Sequence, residues 1–291
     1  MRNTLVAPLT AWYARAARDL PWRAPGVSPW GVLVSEIMLQ QTPAVRVEPV
    51  WRAWLDRWPS PADLADASPA EAIRAWGRLG YPRRALRLHE AARVIVDRWD
   101  GVVPSTLEAL RGLPGVGEYT AAAVAVFAYR RRALVLDTNI RRVIARCVTG
   151  VALPPPVLGA PERALAGGLL PRDPAASVRW TQAAMELGAL VCTSRAPACQ
   201  DCPLLRRCRW RRAGRPGDPW ARARRPQGYE GTDRQARGAV LACLRETPAG
   251  VPEADVLARL PRPDQARRAV ESLVADGLAI RTGDGRLCLP G

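Results

Sequence analysis

The stretch "VCTSRAPACQDCPLLRRC" restricts this chain more than any other, setting cysteines at 192, 199, 202 and 208 in a C-x6-C-x2-C-x5-C spacing. Four thiolates that close together repel unless a metal centre takes up their charge. No histidine lies near them. Zinc ribbons usually pair two CxxC knuckles across a longer gap. Here one x2 knuckle has x6 and x5 arms, a single loop wrapped round one centre. That spacing favours an iron–sulfur cubane and leaves zinc open. Cys147, Cys243 and Cys288 are scattered and read as plain core or surface residues. Seven cysteines in a cytoplasmic chain do not make a disulfide framework.

Charge points to the partner. The chain has 43 basic residues against 27 acidic ones, a net charge of +16, and every basic residue is arginine because the sequence contains no lysine. A GC-rich genome would account for arginine replacing lysine, but not for the excess of base over acid. That excess favours a polyanion, most simply nucleic acid. No apolar run approaches the roughly 20 residues of a membrane span. The start "MRNTLVAPLTAWYARAARDLPW" breaks its apolar run too early for a signal peptide. A cytoplasmic, nucleoid-associated protein without a membrane partner is expected.

Almost every segment reads as helix. "PWGVLVSEIMLQQT" has apolar residues at helical intervals, and "SPAEAIRAWGRLG" opens on Ser68 with Glu71 three residues on and closes on Gly80. "LRGLPGVGEYTAAAVAVF" joins two helices through Pro114-Gly115-Val116-Gly117. Glycines at 115 and 117 let backbone amides approach a phosphate at a helix N-terminus. This is a helix–hairpin–helix, which grips DNA backbone without reading its sequence. Further on, "ALVLDTNIRRVIARC" places Asp137 ahead of Arg141 and Arg142. Alone, Asp137 reads as an N-cap. Its position 20 residues after Gly117 gives it a second reading.

A basic linker rich in Arg, Pro and Gly is expected over residues 211–231. Beyond it, residues 232–291 read as three helices and a hairpin around Gly283-Asp284-Gly285, a small winged-helix-like unit.

The hairpin, the following Asp and the cysteine spacing together resemble the helix–hairpin–helix DNA glycosylases of the endonuclease III superfamily, over roughly residues 5 to 210. The resemblance implies an all-α fold, with a six-helix barrel lobe and a second lobe holding a [4Fe–4S] cluster, as one glycosylase domain over 1–210. Cys192, Cys199, Cys202 and Cys208 would be the cluster ligands, and Arg195 and its neighbours would contact phosphates. Double-stranded DNA would lie across a cleft with its target base flipped into a pocket. Bifunctional members use a lysine just after the hairpin. Tyr119 stands there instead, and the chain has no lysine to form a Schiff base.

"SEIMLQQT" resembles the adenine site of the MutY type. By that resemblance Glu36 is the general acid that protonates adenine, its pKa raised by apolar neighbours. Asp137 stabilises the oxocarbenium-like sugar, Asn139 orients the water or the Asp, and Tyr119 holds Asp137. Gln41 and Tyr81 resemble wedges pushed into the base stack, although Pro82 replaces a common second tyrosine. Arg18, Trp22 and Arg23 resemble pocket and cleft residues, and Gln182 a contact to the flipped base. His89 has no chemistry assigned.

The expected activity is monofunctional excision of adenine opposite 8-oxoguanine or guanine, by a monomer. The tail is too short for the Nudix-like domain that reads 8-oxoguanine in longer MutY proteins, so adenine chemistry is better supported than opposite-base preference. A mismatch thymine or uracil glycosylase on the same scaffold, and a non-catalytic iron–sulfur DNA-binding protein, are the alternatives.

Overall fold

The computed structural model describes residues 4–223 and 228–291. Met1 and residues 224–227 of the expected linker lie outside the described residues. In chain order the α-helices are α1 Val6–Ala16, α2 Pro29–Met38, α3 Ala44–Arg57, α4 Pro61–Asp66, α5 Pro69–Trp76, α6 Arg83–Trp99, α7 Leu107–Arg111, α8 Glu118–Phe127, α9 Thr138–Ile144, α10 Ala160–Leu169, α11 Pro174–Leu190, α12 Arg209–Arg212, α13 Asp233–Glu246, α14 Glu253–Ala258 and α15 Pro263–Ala275. Among the described residues, strands are confined to the C-terminal end: β1 Val251–Pro252, β2 Ile280–Arg281 and β3 Arg286–Cys288. The all-α expectation holds. No helix among the described residues is long and apolar enough to cross a membrane.

The chain forms two compact units, each discontinuous in sequence. One comprises residues 1–27, 105–107 and 117–226; the other comprises 28–104, 108–116 and 227–291.

In the first unit α11 packs on both α1 and α9. Asp173 caps α11, accepting from Ala176 N at 2.7 Å. The approach to α9 is close because position 188 is glycine: a Cβ there would sit 2.5 Å from Asn139 Cβ.

In the second unit, capping boxes start α4 at Ser60/Asp63 and α5 at Ser68/Glu71, the latter as its sequence predicts. The expected closure of α5 at Gly80 is corrected: α5 ends at Trp76, and Gly77, at φ 54°, takes the C-cap. Trp54 and Trp76 meet edge to face at 5.7 Å in the core. The C-terminal segment belongs to this unit. It holds three helices and an antiparallel sheet ordered β1-β3-β2, one strand more than the expected hairpin. Leu241, Leu244, Leu273 and Leu287 share one apolar core with Ala70 and Ile73 of α5. The segment is therefore packed onto the helices before it and does not trail from them.

Candidate active site and cysteine-lined cavity

Helix α2 starts at Ser28, whose Oγ accepts from Gly31 N at 3.1 Å, with Pro29 in its first turn. Every residue from Trp30 to Met38 is buried, so this helix is walled in on all sides. Glu36 is only 5% exposed within it. The "MLQQT" end predicted as helix departs from it after Met38, and Gln41 takes a left-handed φ of 56°.

What holds that turn is Arg84, which the sequence reading did not single out. Its Nη1 donates to the carbonyls of Ile37 and Met38 at 3.0 and 3.1 Å and to that of Gln40, and its Nη2 donates to Thr42 Oγ1 and Gly80 O at 3.1 and 3.0 Å. One guanidinium thus ties the end of α2 to the turn at Gly80-Tyr81. Burial pushes its pKa down to about 10, which still leaves it charged at neutral pH. Tyr81 follows with φ 48° and 45% exposure, and Pro82 caps α6 at φ −63°. A non-glycine residue at positive φ costs of order 1 kcal/mol or more and clusters at functional positions. Gln41 and Tyr81 share that conformation, and Arg84 binds the turns of both. His89 Nε2 donates to Ala67 O at 2.7 Å, as a satisfied buried side chain.

The hairpin turn needs its first glycine for two reasons. Gly115 has φ 77°, and a Cβ there would lie 2.8 Å from Arg87 Cβ. Gly117 is the N-cap of α8, in extended backbone, with no side-chain cap and open space where its Cβ would be. Gly117 therefore brings backbone and no side chain to the start of α8. Tyr119 is half-buried in that turn.

In the first unit Asp137 caps α9. Its Oδ1 accepts from Ile140 N at 2.6 Å and its Oδ2 from Asn139 Nδ2 at 2.8 Å. Capping and placement are therefore one geometry. Burial pushes the Asp137 carboxyl up from its ordinary value, against the pull of Ile140 N–H, Asn139 and Arg142 toward the charged form. Asn139 is fixed in turn, because Arg142 Nη2 donates to its Oδ1 at 2.8 Å. Arg142 also donates to Gly188 O and Cys192 O, both at 2.7 Å. A chain of hydrogen bonds therefore runs from Asp137 to the first clustered cysteine. Arg18 and Arg23 converge on Glu186, which is fully buried: Arg18 gives it Nε and Nη2 at 2.8 and 3.0 Å, and Arg23 gives Nη2 at 3.0 Å. Trp22 is buried and Gln182 half-buried.

The cysteines line one cavity, walled also by Val191, Leu205, Trp210 and Arg146. Cys192, Cys199 and Cys208 are buried and Cys202 is half-buried. Cys147 is on the same wall, so the reading of it as a plain residue is incomplete. It stands in a π-helical stretch, Ala145–Thr149, of the kind frequent at functional sites. Cys147 hydrogen-bonds Cys208, which raises its own pKa and brings that of Cys208 down to about 6, while burial pushes Cys202 up to about 12. Arg146 stacks on Trp210 at 4.5 Å and donates to Cys192 Sγ at 3.3 Å and to Thr193 O and Ser194 O at 2.7 and 3.0 Å. Arg195, Arg206, Arg207 and Arg209 are exposed on this loop. Among the described residues no three His, Cys, Asp or Glu side chains gather tightly enough to hold a single metal ion. Four sulfur donors on one largely apolar wall, with buried arginine donors beside them, fit a sulfur-ligated cluster.

Residues 34–150, which contain Glu36, the hairpin and Asp137, match the family model of HhH-GPD superfamily base excision DNA repair proteins. The chain is 55% identical to the adenine DNA glycosylase of Mycobacterium tuberculosis, over 97% of its own length and 92% of that protein's. The chain belongs to the HhH-GPD superfamily. It is 52% identical to the adenine DNA glycosylase of Mycolicibacterium smegmatis, over 97% of this chain and 95% of that one. This end-to-end likeness makes it a MutY-type member of the HhH-GPD superfamily. A solved thermostable thymine-DNA glycosylase shares the fold, with a TM-score of 0.64 at 28% identity over 71% of this chain and 95% of that one.

Sequence reasoning missed Arg84, Arg146, Glu186 and Gly188, and it named Arg142 without a role. Signals existed: Arg142 and Arg146 are four apart in an otherwise apolar stretch, and Glu186 and Gly188 interrupt an apolar helix.

Proposed function

We propose that this protein is a monofunctional DNA glycosylase that removes adenine mispaired with 8-oxoguanine or guanine and leaves an abasic site for base excision repair. The observation that carries the reading is the end-to-end likeness to two mycobacterial adenine DNA glycosylases. The buried Glu36 and the capped, hydrogen-bonded Asp137 support it.

The two carboxyls have different work. Glu36, protonated, gives its proton to a ring nitrogen of the flipped adenine. The C–N glycosidic bond then breaks with its electron pair going to a base that leaves neutral. Asp137, ionised, stabilises the positive charge left on the sugar. Its orientation is set by Ile140 N–H and Asn139, and that of Asn139 by Arg142. Water adds to C1′ and releases a proton, which completes hydrolysis. With no lysine in the chain, no lysine amine is available for β-elimination.

Gln41 and Tyr81 act as wedges, Gly115 and Gly117 as the backbone grip, and Tyr119, Arg18, Trp22, Arg23 and Gln182 as supporting residues of pocket and cleft. A [4Fe–4S] cluster held by Cys192, Cys199, Cys202 and Cys208 would stiffen the loop that presents Arg195 to phosphates. The catalytic domain occupies residues 1–210, followed by the basic linker 211–231 and the winged-helix-like unit 232–291. The enzyme works as a monomer on chromosomal DNA. A mismatch thymine or uracil glycosylase is the second reading, favoured by the 28% identical thymine-DNA glycosylase structure.

Base release from duplexes carrying A opposite 8-oxoguanine, G, C or T, and T or U opposite G, separates the two. Adenine release from the first two duplexes is expected. Release of T or U with adenine untouched would overturn the assignment.

A further inference from the structure

We infer that the C-terminal unit is part of the DNA grip, with Arg234 binding a backbone phosphate beside Tyr81. This rests on the reading of Tyr81 as a residue that enters the duplex. The Tyr81 ring carries two guanidinium groups. Arg84 lies 5.3 Å from its centroid and Arg234 5.7 Å. Their exposure to solvent differs. Arg84 is half-buried and donates to five oxygens of the chain. Arg234 is exposed, in the first turn of α13.

Arg234 stays near the ring because α13 is fixed. Val240, Leu241 and Leu244 of α13 lie in one apolar core with Ala70 and Ile73 of α5, and Leu86 of α6 packs against it. Arg245 Nε donates to Ile73 O at 3.2 Å. Asp276, just after α15, bonds Arg83 at 3.3 Å and Arg237 at 2.6 Å, so it links the start of α6 to α13. Tyr81 immediately precedes that start. Whatever the left-handed turn presents to DNA, Arg234 is presented with it. An arginine beside an aromatic that enters the base stack lies within reach of the adjacent phosphate, and its charge on the ring face limits the ring's rotation.

Competition of salt with phosphate contacts tests this. Binding of the full-length protein to a duplex with a stable abasic analogue opposite 8-oxoguanine is measured from 50 to 200 mM salt. Each neutralised phosphate contributes about −0.9 to the slope of log K against log salt. Arg234→Ala is expected to reduce the slope by about one contact and to weaken binding several-fold. Arg234→Lys, which keeps the charge, restores the slope, and Arg98→Ala, at an exposed arginine near the far end of α6, leaves it unchanged. A folded Arg234→Ala protein, with wild-type melting, that keeps the wild-type slope would overturn the inference, as would an Arg234→Lys slope equal to that of Arg234→Ala. Adenine release by the wild type from a duplex of the same sequence with adenine in place of the abasic analogue separates the two failures. Release with an unchanged Arg234→Ala slope removes only this inference, whereas no release removes the function beneath it.

Discussion

Asn139 Nδ2 donates to Asp137 Oδ2 at 2.8 Å while Asn139 Oδ1 accepts from Arg142 Nη2 at the same distance. The amide can satisfy both partners in only one orientation. The carboxylate is thus held from two sides, by this amide and by Ile140 N–H. Gly188 backs the arrangement, since a Cβ there would lie 2.5 Å from Asn139 Cβ and 2.9 Å from its backbone. Gly188→Ala must displace Asn139, and a displacement near 1 Å can cost about 100-fold in rate. Single-turnover adenine release should fall on that order with duplex binding largely kept. A wild-type rate would show that α9 and α11 separate harmlessly.

Glu36→Gln and Asp137→Asn should each bind an A·8-oxoguanine duplex and fail to excise. Removing a positioned proton donor costs roughly 10²–10⁴-fold. Gel-shift affinity and single-turnover release, measured side by side, check both. Excision near the wild-type rate by either variant would remove that residue from the mechanism.

The product should be an intact abasic strand, cut only after alkali or an added lyase. Borohydride should trap little covalent complex. A weak trap from the Met1 amine, whose pKa is ~8, should vanish when the N-terminus is blocked while adenine release continues. Stoichiometric trapping by the blocked protein would leave no amine to explain it, because the chain has no lysine.

Cys199→Ser should lose iron, the absorbance near ~400 nm expected of an iron–sulfur cluster, and DNA affinity. Stoichiometric zinc without iron in the purified wild type would replace the cluster with a zinc site.

Glu186 makes a prediction about stability. Burial disfavours its charge, yet hydrogen bonds and charge from Arg18 and Arg23 outweigh that and leave its pKa below the ordinary 4.5. The folded state therefore holds the ionised form more readily than the unfolded chain does. Its contribution is fully present above about pH 4.5 and is lost as pH falls through the lower folded value. Glu186→Gln leaves two arginines facing a neutral group. Breaking a buried pair costs roughly 3–5 kcal/mol, and partial exposure of Arg18 puts this case at the low end of that range. Urea denaturation at pH 7 and pH 4 should show the gap between variant and wild type closing at the lower pH.

The cysteine loop, the hairpin glycines, the Ser68/Glu71 box and the Asp137 cap were legible in sequence because each is a local pattern with a local cause. The arginines that organise the site were not. In a chain with 43 arginines and no lysine, residue type alone does not separate Arg84 or Arg146, which feed buried carbonyls, from the exposed Arg206. Burial depends on tertiary neighbours far away in sequence. The end of α5 was misjudged for a related reason: "WGRLG" offers two glycines, and Gly77 stops the helix before Gly80 is reached.

The shared core of α5 with α13 and α15 also governs how the molecule is made. Ala70 and Ile73 share one apolar core with residues as late as Leu287 and Leu289, so this core of the second unit cannot be completed while the strand β3 is still inside the ribosome. At ~5–20 residues per second, its early helices wait on the order of ten seconds or more with an apolar face open to chaperones. A stop codon ahead of β3 would leave that face open permanently, so loss of this short strand would be expected to abolish the protein rather than trim it.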